Sequence, residues 1–196
     1  MSDRRFAGVL GRLPGLREKI TEELKLLVRQ PRSLATLIES QSPWLGRQFL
    51  GVASNIVEPF LVGTGVSVSA IGEEIAEVEL PDTWRNQSQK GVIHTAAIAA
   101  IGELACRLFW ERHLDLRNSE LQATFVSTRL LGVPRTSLKA VFRSTIGERE
   151  EILHKLRTEG EAQASTTVSV YDTSGKLVSE VEVEWTFTKQ LSLSSR

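Results

Sequence analysis

His94 and Glu103 lie nine residues apart in a stretch where, from Val92 to Cys106, Thr95 is the only other polar side chain. A carboxylate in such a setting takes a proton from water or attacks a carbonyl itself. A histidine opening a helix sits beside backbone N–H groups that lack an intrahelical acceptor. Those groups, from His94 to Ala97, favour an anion or a carbonyl oxygen becoming an oxyanion, and the helix dipole adds to the effect. Nine residues turn a helix through roughly 900°, half a turn out of phase, and rise about 13 Å. His94 and Glu103 of one chain therefore cannot share one site. If they act together, a second chain brings Glu103, its helix antiparallel to the first, and two identical sites form across a two-fold axis.

Each residue also has a plainer reading. Glu103, Arg107 and Glu111 are spaced i, i+4, i+8, which suits ion pairing along a solvated stripe. His94 also reads as a helix-start residue bonded to a loop carbonyl. Cys106, in an apolar run, reads as core rather than nucleophile. His113 and His154 are isolated, and no histidine and carboxylate cluster has metal-ligand spacing, so no metal is expected. No glycine-rich phosphate loop or dinucleotide fingerprint occurs, which argues against ATP and NAD.

The elements that must position these residues follow from periodicity. The spacing predicts a helix over Gly91 to His113, so apolar that protein must cover nearly every side of it. Before it, Val66, Val68 and Ala70 alternate with Ser67 and Ser69, and Ala76, Val78 and Leu80 with Glu77 and Glu79. These read as two strands joined by a turn at Gly72, and a polar loop runs from Asp82 to Lys90. After the helix, strands are predicted over Leu121 to Leu131, Ser137 to Ile146, Ala162 to Asp172 and Leu177 to Thr188. The last pair is joined by a turn over Asp172 to Gly175. Thr145 and Glu148 have capping-box spacing and open a short helix that Gly160 ends.

The order predicts an α+β fold: a curved antiparallel sheet of about six strands wrapped around one long central helix. Apolar helix surface left over implies coverage by the N-terminal segment or by a second subunit. In that segment Leu16, Ile20, Leu24, Leu27 and Val28 recur at helical spacing up to Pro31, and Ser42-Pro43 opens a second helix. The predicted organisation is a helical extension over 1–57, the α+β domain over 58–190 and a disordered tail over 191–196.

Composition narrows the function classes. The chain has 196 residues, with 24 Lys+Arg against 24 Asp+Glu, so the basic excess of a nucleic-acid binder is missing. The single cysteine allows no intramolecular disulfide and fits a reducing compartment, which points to the cytoplasm. No run of 18 apolar residues suits a transmembrane helix.

On these residues the chain resembles the hot-dog superfamily, and within it the PaaI-like acyl-CoA thioesterases. The resemblance covers about Pro59 to Lys189. It rests on the strand order, the loop holding Asn86, Gly91-Val-Ile-His94 opening the helix, and Glu103 nine residues after that histidine. Arg129-Leu-Leu-Gly-Val-Pro-Arg135 is similar to the family's strand and turn containing Arg and Pro. The resemblance implies an acyl-thioester hydrolase whose site spans a homodimer interface, with dimer against tetramer left open by the sequence. Asn86, His94 and Glu103 would be catalytic, and Gly91, Thr95, Ala96, Ser88, Arg129 and Arg135 would bind substrate. Ser88 is nearer the expected spacing from His94 than Asn86 is. No cofactor is implied beyond the coenzyme A of the substrate, whose phosphates suit Arg85, Lys90, Arg129, Arg135 and Lys139. The family has two glycines after the histidine where this chain has Thr95 and Ala96. That difference favours a rival reading, a non-catalytic acyl-thioester-binding module. An enoyl-thioester hydratase or dehydratase on the same fold is a third.

Overall fold

The computed structural model describes residues 61, 63–88, 90–114 and 118–189. The predicted extension over 1–57 and the predicted tail over 191–196 lie outside the described residues. Six strands and two helices follow in the order β1 (Ser67–Ile71), β2 (Ile75–Leu80), α1 (Thr95–His113), β3 (Ser119–Leu130), β4 (Leu138–Arg143), α2 (Ile146–Glu159), β5 (Glu161–Asp172) and β6 (Leu177–Lys189). They form one curved antiparallel sheet in the order β1-β2-β4-β5-β6-β3, with α1 packed against it. This is the expected α+β arrangement.

Alternation explains the strands. On β6, Val181, Val183, Trp185 and Phe187 are buried while Glu182 and Glu184 are exposed. Even-numbered residues of β2 and β5 supply matching inward faces, among them Val78, Leu80, Val168 and Val170. Onto this surface α1 lays Ile98, Ile101, Leu104, Ala105, Leu108 and Phe109. Phe109 stacks edge-on against both Trp110 and Phe142, and Trp110 against Phe187, closing the core at the C-terminal half of the helix. Gly102 sets how close α1 comes to β6: a Cβ there would lie 2.6 Å from Cβ of Val181.

Two expectations change. The long helix begins at Thr95, not Gly91, because Gly91 takes φ +66 and the Ile93 N–H is committed to the carbonyl of Pro134. The second strand after the helix stops at Arg143. Thr145 caps α2 with both halves of the capping box formed, so Ile146 is helical, and Gly160 ends α2 at φ +80. The described residues of this one chain leave part of α1 open, where coverage by the N-terminal segment or a second subunit is expected: His94, Thr95 and Ala96 are exposed, and Ala99, Ala100 and Glu103 are half-buried.

Candidate functional site

The connection from β2 fixes where α1 starts. Asn86 is 1% exposed. Its Nδ2 donates to the carbonyls of Thr64 (2.8 Å) and Pro81 (2.7 Å), and its own carbonyl accepts the His94 N–H at 2.7 Å. Asn86 Oδ1 is buried with no partner among the described residues. Beyond it the chain makes a tight turn, with Ser88 N–H donating to the Val92 carbonyl (2.7 Å) and Gly91 N–H to the Ser88 carbonyl (3.0 Å). Gly91 tolerates the positive φ this turn needs because it has no Cβ.

The chain thus reaches His94 in an extended conformation, φ −68° and ψ 135°, and His94 becomes the N-cap: its Nδ1 accepts the Ala96 N–H at 3.1 Å. That bond leaves the ring proton of the neutral imidazole on Nε2. It also changes the count of free amides. The N–H groups of His94, Ala97 and Ile98 are already bonded, the first to Asn86 and the other two to the His94 carbonyl at 2.9 and 3.2 Å. Of the first-turn donors expected to be free, Thr95 N–H is the one left without an acceptor among the described residues.

Further along, Ala96, Ala99, Ala100, Glu103 and Arg107 share one face of α1. With Leu61, Leu104 and Val126 of β3 they line a groove of about 290 Å³. β3 stands at the edge of the sheet, and there Phe125, Val126 and Leu130 are exposed. Small side chains on α1 leave the room, and Glu103 is the groove's carboxylate. Its Oε1 accepts from Arg107 at 2.5 Å, so the ion pair that the i, i+4 spacing allowed is formed. The guanidinium lies over the indole of Trp185, 5.8 Å from the ring centre.

The structure brings Ala96 and Glu103 into this groove and places His94 and Thr95 at the helix start. Asn86, Ser88 and Gly91 build the loop that holds that start. Arg129 pairs with Glu180 at 3.7 Å, and Arg135 is exposed beside Pro134. Arg85 lies over the ring of Trp84. Lys139 is held by Glu79 (3.1 Å) and Glu77 (3.4 Å), which raise its pKa, at the edge of a separate cavity of about 510 Å³ that Ser67 and Tyr171 also line. Burial pushes the Cys106 thiol up to about 12, so it is inert core. Among the described residues no His, Cys, Asp and Glu cluster could hold a metal.

Sequence reasoning missed the part played by Val126 and Trp185. The signal available was the small-residue spacing of Ala96, Ala99 and Ala100 ahead of Glu103, which marks a helix face kept open. It named no partner strand.

Comparison with known proteins adds to this geometry. A Pseudomonas aeruginosa protein of unknown function described as a probable thioesterase superposes with a TM-score of 0.67 at 12% identity, over 73% of this chain and 95% of that one. A thioesterase from Haemophilus influenzae gives 0.60 at 15% identity, over 76% and 94%. A mutant thioesterase from Pseudomonas aeruginosa gives 0.60 at 14%, over 73% and 94%. At these identities the likeness is one of fold, and the fold is the hot-dog fold. No curated protein matches the chain. The family described as "Domain of unknown function (DUF4442)" matches residues 46–187. The chain, which shares its hot-dog fold with proteins described as thioesterases, belongs to that family.

Proposed function

We propose that this protein hydrolyses an acyl thioester, with acyl-CoA as the substrate class, in a groove completed by a second copy of the chain. The observation that carries the reading is the Glu103 carboxylate in an otherwise mostly apolar groove between α1 and the exposed edge strand β3. Descriptions of three fold neighbours as thioesterases support it. An acyl chain suits the Ala, Leu and Val lining, and the thioester carbonyl suits the first turn of the partner's α1.

In this reading Glu103 takes a proton from water as the water oxygen bonds to the carbonyl carbon. The oxyanion that forms meets Thr95 N–H and the α1 dipole of the other copy, with His94 Nε2–H beside them. The C–S bond then breaks and the proton on Glu103 goes to the leaving thiolate, giving a free acid and a thiol. Glu103 acting as nucleophile through an anhydride is the variant of the same scheme. Asn86, Ser88 and Gly91 hold the helix start, and Lys90, Arg85 and Arg135 are the cations for the phosphates of coenzyme A. A cytoplasmic homodimer needing no metal belongs to the same proposal. Among the described residues no helix is long and apolar enough to cross a membrane.

Thiol release from a panel of acyl-CoAs tests this. We expect turnover that falls at least about 100-fold in Glu103→Gln. Undiminished release in that variant would sink the assignment. One observation favours a second reading, a binding module without chemistry: the Ala96 N–H is already occupied by His94. Tight acyl-CoA binding with no thiol release would establish that reading instead.

A further inference from the structure

The Glu103–Arg107 ion pair extends into a chain of contacts that reaches the sheet. Arg107 is only 23% exposed, and its guanidinium rests on the face of Trp185, itself 1% exposed. Trp185 sits on β6 directly between Ala123 of β3 and Ala164 of β5, whose small side chains leave space around the indole. The ring is held at its edge as well as its face. Its Nε1–H lies 3.0 Å from Cys106 Sγ and 3.2 Å from Thr166 Oγ1, and Thr166 Oγ1 donates at 3.0 Å to the carbonyl of Val183. A helix surface ion pair normally wanders, because two long side chains lose entropy when fixed in one geometry. Here the cation is stacked on a ring that hydrogen bonds and packing immobilise.

Arg107 donates to Oε1 of the carboxylate, and Oε2 has no hydrogen-bond donor among the described residues. The groove that Glu103 lines also has Arg107 in its wall. We infer that Arg107, seated on Trp185, is a positioning residue: it fixes the Glu103 carboxylate by one oxygen so that the other stays available to water in the groove. The i, i+4 pair is then part of the working site and not a rival to it. The inference rests on the thioester-hydrolase reading given above. Placement of this kind matters because a catalytic group displaced by about 1 Å can lose about 100-fold in rate.

The test compares Arg107→Met, which keeps the packed stem but loses the fork, with Arg107→Lys and Trp185→Phe, each assayed for acyl-CoA thiol release after circular dichroism and solution mass match the wild type. We expect kcat to fall about 10- to 100-fold in Arg107→Met with KM changed less than about 3-fold. Arg107→Lys, a point charge without the planar fork, should recover only part of it. In Arg107→Ala, added guanidinium ion should restore activity in a saturable way, which a purely structural role would not show. Should Arg107→Met fail to fold, Trp185→Phe and the guanidinium series decide the matter. The inference is overturned if Glu103→Gln is dead while the folded Arg107 variants keep kcat within 2-fold of wild type, or if guanidinium gives no rescue of a slow Arg107→Ala. If Glu103→Gln itself stays active, the hydrolase reading fails first and this one with it.

Discussion

Thr95 is the residue where backbone chemistry can be tested most cleanly. It occupies the first helical position after the His94 cap, and its N–H is the proposed oxyanion donor. Proline suits that position because the helix does not need its N–H, and a residue before proline favours the extended geometry that His94 already has. Thr95→Pro should therefore leave the unfolding temperature nearly unchanged while thiol release falls about 100- to 1,000-fold, the usual cost of losing one oxyanion-hole donor. Equal activity in the two proteins would remove Thr95 from the site. Gly102 makes the opposite kind of prediction. Its missing Cβ lets α1 approach Val181, which is fully buried, so Gly102→Ala should destabilise the fold by about 1–3 kcal/mol in denaturant titration. An unchanged midpoint would mean that the helix can shift outward freely.

At the scale of elements, the strands and α2 were legible because local rules dominate them. The alternation on β6 needs only its own residues, and the Thr145–Glu148 box is written in four consecutive positions. The start of α1 was not legible to the residue: Val92 and Ile93 continue an apolar run, and what stops the helix is a contact with Pro134, distant in sequence. Trp185 beneath Arg107 was hidden for the same reason. Glu103 and His94 were legible as unusual polar residues, whereas the buried amide of Asn86 was not, since a loop asparagine reads equally as a turn residue.

The capping box carries a pH signature. Bonds from Thr145, its backbone N–H first, hold Glu148 below its ordinary 4.5, so this stabilisation is complete above that value and is lost as pH falls through the lowered one. Thr145→Ala should cost about 1 kcal/mol near neutrality, with the difference shrinking in acid. At the other end of α1, His113 behaves in the reverse sense of a paired histidine. Burial first, then the nearby Arg149, hold it below 6.5, so the unfolded chain binds more protons once the pH drops under that value. Wild type should lose thermal stability from about pH 7 downward faster than His113→Gln does. Parallel pH profiles would remove His113 as the cause.

At the scale of the whole molecule, β3 is a twelve-residue strand at the edge of the sheet, and Phe125, Val126 and Leu130 on it are exposed. Long edges of this type pair with another chain unless something blocks them. In the proposed homodimer β3 meets its own copy about a two-fold axis, which brings the start of one α1 toward Glu103 of the other. Light scattering should then give twice the chain mass, and Thr128→Pro, at a position opposite Val181 whose N–H faces the open edge, should shift the mass toward one chain and abolish thiol release together. The most direct measurement mixes two inactive proteins. Thr95→Pro and Glu103→Gln chains are unfolded together, refolded at equal concentration and assayed for acyl-CoA thiol release. A site shared between chains predicts recovery to about a quarter of wild-type activity, because half of the random dimers are mixed and each mixed dimer holds one intact site. Activity no higher than that of the separate variants, in a mixture shown to contain mixed dimers, would contradict a site built from two copies of the chain.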